Sequence, residues 1–182
     1  MGDLASTLGI GKHQQQQKKR ILVVGLSGAG KSTVLFKLRL GDIETITTPN
    51  GVRVDTVTHK NLEFVVWDLD VQSRLTAEEY RQYTENAQGI IFVVDSADRT
   101  RIHEARAELY RLFEADDELR DTPLLVLANK QDDQHAMATA EVAESLDLMG
   151  LIKYNIKWWT QAAAGRSGDG LFEGLQWLST LL

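Results

Sequence analysis

The chain contains no cysteine in its 182 residues. Disulfides, thiolate zinc sites and palmitoylation are therefore excluded, and the composition is compatible with a reducing compartment. Histidine is scarce too. The four present are scattered along the sequence, which disfavours a metal site built from them. Basic charge is in deficit, with 20 Lys and Arg against 26 Asp and Glu and a net charge of −6. No predicted face gathers the cations needed to neutralise a phosphate backbone, so nucleic acid is not expected as a partner. No apolar run approaches the span of a bilayer, and the first residues lack the apolar core of a secretory signal. The body is expected to be soluble and cytoplasmic.

What the sequence does contain is organised around residues 25–32, Gly-Leu-Ser-Gly-Ala-Gly-Lys-Ser, which fit the phosphate-binding pattern GxxxxGKS. They follow Ile21-Leu22-Val23-Val24, apolar at every position as a parallel strand buried on both faces would be. Gly25, Gly28 and Gly30, with Leu26, Ser27 and Ala29 between them, let the backbone curl until several N–H groups point inward. That makes a concave anion site at the start of a helix over 31–40. There Lys31 would reach the β- and γ-phosphates, the Ser32 hydroxyl would ligate Mg²⁺, and Thr33 would continue the cradle.

The remaining chain alternates strands with helices. Residues 1–6, Met-Gly-Asp-Leu-Ala-Ser, fit an acylation pattern with Gly2 as the myristate acceptor. Leu4 and Leu8 give a short helix there only a thin apolar stripe, and the Gln-rich tract 14–17 reads as a linker. One acyl chain beside Lys18-Lys19-Arg20 supports only reversible contact with a membrane surface. Residues 41–51, with Pro49 and several threonines, read as a loop. Strands follow over 52–57 and 62–67, paired as a hairpin, and then over 89–95, 123–128 and 156–162. Helices are predicted over 76–86, 99–112, 138–146 and 170–182. With the strand before the phosphate loop this makes six strands, mostly parallel, with helices on both faces. Ligand sites then lie beyond the carboxyl ends of the strands, where the phosphate loop, Asp68, Asn129 and residues 163–165 fall.

Asp68 ends a strand where a carboxylate can hold Mg²⁺ through its water shell. Asn129-Lys130-Gln131-Asp132 matches NKxD, in which a carboxylate accepts both N1–H and N2–H₂ of guanine. Adenine lacks that donor pair, so an ATPase or P-loop kinase is disfavoured. Gln72 stands four residues after Asp68, a position from which its amide can orient a water for attack on a γ-phosphate.

These stretches, together with Trp67-Asp68, Ile91-Phe92-Val93-Val94-Asp95-Ser96 and Ser167-Gly168-Asp169-Gly170-Leu171, resemble the ADP-ribosylation factor (Arf and Arf-like) family of small GTPases. The resemblance implies the small-GTPase version of the P-loop NTPase fold over residues 20–182, preceded over 1–19 by a helix and linker. It implies GDP or GTP with Mg²⁺ as ligands and GTP hydrolysis with Lys31 and Gln72 as catalytic groups. Ser32, Thr48 and Asp68 would surround the metal, and Ala164 and Gly165 would lie at the guanine. Also implied are a monomer, an exchange factor, an activating protein and effectors. The switch would regulate vesicle traffic peripherally on Golgi or other endomembranes. The acylated helix would pack on the body in the GDP state and be expelled when the 52–67 hairpin shifts register.

The chain departs from the family where a γ-phosphate would be read. The family's Asp-Val-Gly-Gly-Gln is here Asp68-Leu69-Asp70-Val71-Gln72, and its Pro-Thr-Ile-Gly is Thr48-Pro49-Asn50-Gly51. Ser27 stands where the family usually has Asp. Trp67 and Tyr83 of an aromatic effector patch remain, while Val52 replaces its Phe. Two readings follow: a slow regulatory GTPase, favoured by Gln72, and a GDP-favouring scaffold that does not hydrolyse, favoured by Asp70, Val71 and Pro49. Val71 resists the close backbone approach that glycine permits, and Asp70 adds a negative charge. Joint reversion, Asp70→Gly with Val71→Gly, is expected to raise affinity for a non-hydrolysable GTP analogue relative to GDP by roughly ten- to a hundred-fold, the value of a hydrogen bond to a charged group. A ratio of dissociation constants unmoved by the double change would place both side chains outside the phosphate's reach.

Overall fold

The computed structural model describes residues 18–38, 43–59, 62–69 and 74–182. Gly2 with the predicted N-terminal helix, and Gln72 with Asp70 and Val71, lie outside the described residues. Strands are β1 (Lys19–Gly25), β2 (Ile43–Thr47), β3 (Arg53–His59), β4 (Leu62–Asp68), β5 (Ala87–Asp95), β6 (Leu124–Asn129) and β7 (Trp158–Ala162). Helices are α1 (Lys31–Leu38), α2 (Ala77–Thr84), α3 (Ile102–Ala115), α4 (Thr139–Ser145) and α5 (Leu171–Ser179). The sheet order is β2-β3-β4-β1-β5-β6-β7. β4, β1, β5, β6 and β7 run parallel, while β3 is antiparallel to β4 and β2 to β3.

The continuous apolar runs are explained by burial on both sides of the central strands. Leu22 and Val24 of β1 join a core with Leu109, Leu112 and Phe113 of α3 and Val142 of α4. Ile21 and Val23 face the opposite core, with Val34 and Leu35 of α1 and Leu171 and Leu178 of α5. Helix α2, polar over much of its surface, starts at a capping box. The Thr76 hydroxyl accepts from the Glu79 amide at 3.2 Å, and the Glu79 carboxylate accepts from the Thr76 amide at 2.8 Å.

Among the described residues the sheet has seven strands rather than six, because residues 43–47 form β2 inside the stretch expected to be a loop. Ile43-Glu44-Thr45-Ile46-Thr47 is mostly β-branched and suits an edge strand, and its threonines had suggested turn chemistry. All five residues are exposed, so no buried face marks them in the sequence. β2 is registered on β3 from Ile43–Val57 to Thr47–Arg53.

Trp67, which the family resemblance places with Tyr83 in an aromatic patch, is 2 % exposed and packs in the core with Val52. Its ring meets Tyr80 edge-on at 6.5 Å and Tyr83 at 6.4 Å. The parallel strands end at Asp68, Gly25, Asp95, Asn129 and Ala162, which brings these residues to one rim of the sheet. Phe113 is fully buried and stacks on Tyr154 at 5.8 Å. Phe113→Ala is expected to cost about 3–5 kcal/mol of stability from lost transfer energy and the cavity left behind. Urea denaturation measures this directly, and a loss near zero would contradict the packing described.

Candidate guanine-nucleotide site

A cleft of about 600 Å³ opens along this rim. Of the predicted residues, it brings together Ser27, Gly28, Gly30, Lys31, Ser32, Thr33, Asp68, Asn129, Lys130, Asp132 and Gly165 in its lining. Gly25, Leu26 and Ala29 belong to the loop but not to the lining. A side chain at Gly25 would collide with the Val93 carbonyl, and one at Gly30 with the Asn129 amide. Gly28 and Gly30 have φ of +82° and +101°, conformations that L side chains rarely adopt. Within the loop the Ala29 amide donates to the Leu26 carbonyl at 3.2 Å, and the Gly30 carbonyl accepts from the Val34 amide of α1 at 3.0 Å. The amides of Gly28, Gly30 and Ser32 donate to no protein group among the described residues, which leaves inward N–H groups at the start of α1.

Lys31 is buried and turned back over the loop. Its Nζ donates to the carbonyls of Gly25 at 3.0 Å and Leu26 at 2.8 Å and pairs with the Asp68 carboxylate. Both groups are thus held at the strand ends. Ser32 and Asp68 offer hard oxygen donors in one cleft, and no acidic trio suited to a metal occurs among the described residues. That donor set fits Mg²⁺, which keeps several waters and takes one or two protein oxygens with phosphate. Thr48 is not part of the lining. Its hydroxyl accepts from the Val52 amide at 3.1 Å in a turn where the residue is only 5 % exposed.

At the other end Asn129 is buried at the close of β6. Its Nδ2 donates to the Ala29 carbonyl at 2.9 Å, and its Oδ1 accepts from the Gly165 amide at 2.8 Å. One side chain therefore fixes the phosphate loop to the segment after β7. Ala164, beside Gly165, is buried and outside the lining; its amide donates to Asp169 at 3.0 Å. Lys130 has φ of +65° and pairs with Asp95 at 2.6 Å. Gln131 donates to Ser96 at 2.8 Å and to the Met137 carbonyl at 2.9 Å, which braces the turn from below. Asp132 is exposed in the lining, and its carboxylate has no partner among the described residues.

Sequence reasoning missed Arg53, Asp55, Asp133 and Arg166, all of which line the cleft. Arg53 and Asp55 lie in an alternating strand that read as half exposed, and only the register of β3 on β4 aims them here. The Asp55 carboxylate accepts from the Thr45 hydroxyl at 2.6 Å and from Arg53 Nε at 2.9 and 3.2 Å. That hydrogen bond, then the Asp55 charge, holds the Arg53 guanidinium above its ordinary range, against slight desolvation and with a smaller contribution from Asp68.

The profile of the ADP-ribosylation factor family matches residues 6–182. The chain belongs to that family. Its members are GTP-binding molecular switches, and the Arf assignment makes guanine nucleotide the class of ligand expected in this cleft. Within this Arf-family chain the two contacts of Asn129 carry the join between loops. Asn129→Ala leaves a carbonyl and an amide unpaired in the interior and is expected to cost about 1–3 kcal/mol. Equilibrium unfolding with an unchanged denaturant dependence would confirm that cost, and no change in midpoint would show that the join carries no net energy.

Proposed function

We propose that the cleft binds GDP and GTP with Mg²⁺ and that the chain is an Arf-type switch acting in membrane and vesicle traffic. In this reading it hydrolyses GTP slowly. The observation that carries the reading is Asp132. An unpartnered carboxylate stands in the same cleft as the phosphate loop, where guanine's N1–H and N2–H₂ could both donate to it. Lys31 exchanges Asp68 and the loop carbonyls for phosphate oxygens, and the Gly28, Gly30 and Ser32 amides complete the cradle. Release of Lys31 frees the Asp68 carboxylate to join the Ser32 hydroxyl around the metal. Bound there, Mg²⁺ would neutralise charge on the β- and γ-phosphates. Gln72, by family resemblance, orients the attacking water.

Reversible membrane contact through an acylated Gly2, Golgi or endomembrane residence, and regulation by an exchange factor, an activating protein and effectors complete the proposal. A second reading, a GDP-favouring scaffold, is supported by the Thr48 hydroxyl. It is buried outside the cleft lining in a turn closed by the Val52 amide, so service as a metal ligand requires this turn to move. Both readings share the guanine site. Asp132→Asn is expected to move preference from guanine to xanthine nucleotides, measured by competition against a labelled GDP. Competition by ATP at concentrations comparable with GDP would overturn the assignment.

A further inference from the structure

Arg53 has a geometry that the hydrolytic and guanine-reading groups leave unused. Its side chain is 66 % exposed, yet its Nε is fixed to Asp55, whose side chain is only 10 % exposed. Asp55 is itself held by the Thr45 hydroxyl from the neighbouring strand. The terminal nitrogens of the guanidinium donate to no group among the described residues. An exposed ion pair would leave both side chains free to wander and would be worth little. Here the buried carboxylate anchors one edge of a planar cation and leaves the other, with its parallel N–H donors, facing the cleft. A fork of that kind matches the oxygens of a phosphate.

Sheet order determines which phosphate it would meet. Guanine-reading groups close β6, the phosphate loop closes β1, Asp68 closes β4, and Arg53 opens β3. Arg53 and Asp68 each stand two residues beyond the registered pair Asp55–Val66, so they lie opposite one another across the two strands. A nucleotide with its base at Asp132 and its first phosphates on the loop therefore extends its last phosphate toward β4 and β3. We propose that Arg53, anchored by Asp55, is a binding residue for the terminal phosphate of GTP and distinguishes GTP from GDP in this chain. It would supply from β3 a cation to the group that, by family resemblance, the glycine replaced by Val71 and the displaced threonine would otherwise serve. The inference rests on the reading of the cleft as a guanine-nucleotide site.

The test is the ratio of dissociation constants for guanylyl-imidodiphosphate and GDP, both with Mg²⁺, in the full chain. Arg53→Ala is expected to weaken the analogue ten- to a hundred-fold more than it weakens GDP, the range for a hydrogen bond to a charged group. Arg53→Lys keeps a cation beside Asp55 and lacks the fork, so it is expected to retain only part of the selectivity and serves if the alanine variant does not fold. Asp55→Asn, which loosens the anchor, is expected to fall between Arg53→Ala and the unaltered chain. Equal loss for both nucleotides would assign Arg53 to the shared phosphates or to the fold and overturn the proposal, as would an unchanged ratio. Failure of the unaltered chain to bind GDP is a different result, which removes the nucleotide reading itself and this inference with it.

Discussion

The site depends on one buried amide. Asn129 is 2 % exposed and reaches two segments distant in sequence, the phosphate loop through Ala29 and the turn after β7 through Gly165. A single hydrogen bond contributes only about 0.5–1.5 kcal/mol net, but its unmade half in the interior costs more than the made bond gains. The amide therefore specifies the relative position of the loops more strongly than it stabilises the domain. Gly30 is required by the same contact, since a side chain there would occupy the place of the Asn129 amide. Ser96 and Gln131 brace the turn from beneath, so the group that positions the loops is itself positioned.

Most of the fold was legible because burial on both faces leaves a plain mark. Leu22 and Val24 fill one core and Ile21 and Val23 the other, and a run without polar interruption is the result. β2 left no such mark: its residues are all exposed, and Thr45 and Thr47 beside Pro49 imitate a loop. The phosphate loop and Asn129 to Asp132 were legible as contiguous motifs. Arg53 and Asp55 were not, since their place in the cleft comes from the pairing of β3 with β4, a long-range fact that alternation alone does not encode. Trp67 was legible as part of an aromatic patch with Tyr83, but its burial in the core beside Tyr80 and Tyr83 comes from packing that the sequence does not display.

Three cations at the cleft are held by carboxylates, whereas Asp132 stands without a partner among the described residues. Lys31 is held by Asp68, Lys130 by Asp95 and Arg53 by Asp55. Asp68 spares buried Lys31 the full cost of an unpaired buried ion, whereas Lys130 and Arg53 are exposed cations that their partners hold in orientation. The Lys31 pair joins the loop to β4 and the Lys130 pair joins β5 to the turn after β6, whereas the Arg53 pair is confined to one strand. The first two therefore brace the tertiary arrangement, and the third orients a side chain.

The Thr45–Asp55 hydrogen bond has a consequence for local stability. β2 pairs with β3 alone, and five exposed residues contribute little burial, so its detachment is among the least costly openings of the sheet. The hydroxyl that helps retain it lands on the same carboxylate that steadies Arg53 in the cleft. Any event that pulls Asp55 toward the cleft loosens the outer strand, and any partner that peels the strand away alters Asp55. Amide exchange at residues 43–47 would thus register what happens to charges beyond the strand itself, as an edge whose fraying is thermodynamically linked to the interior.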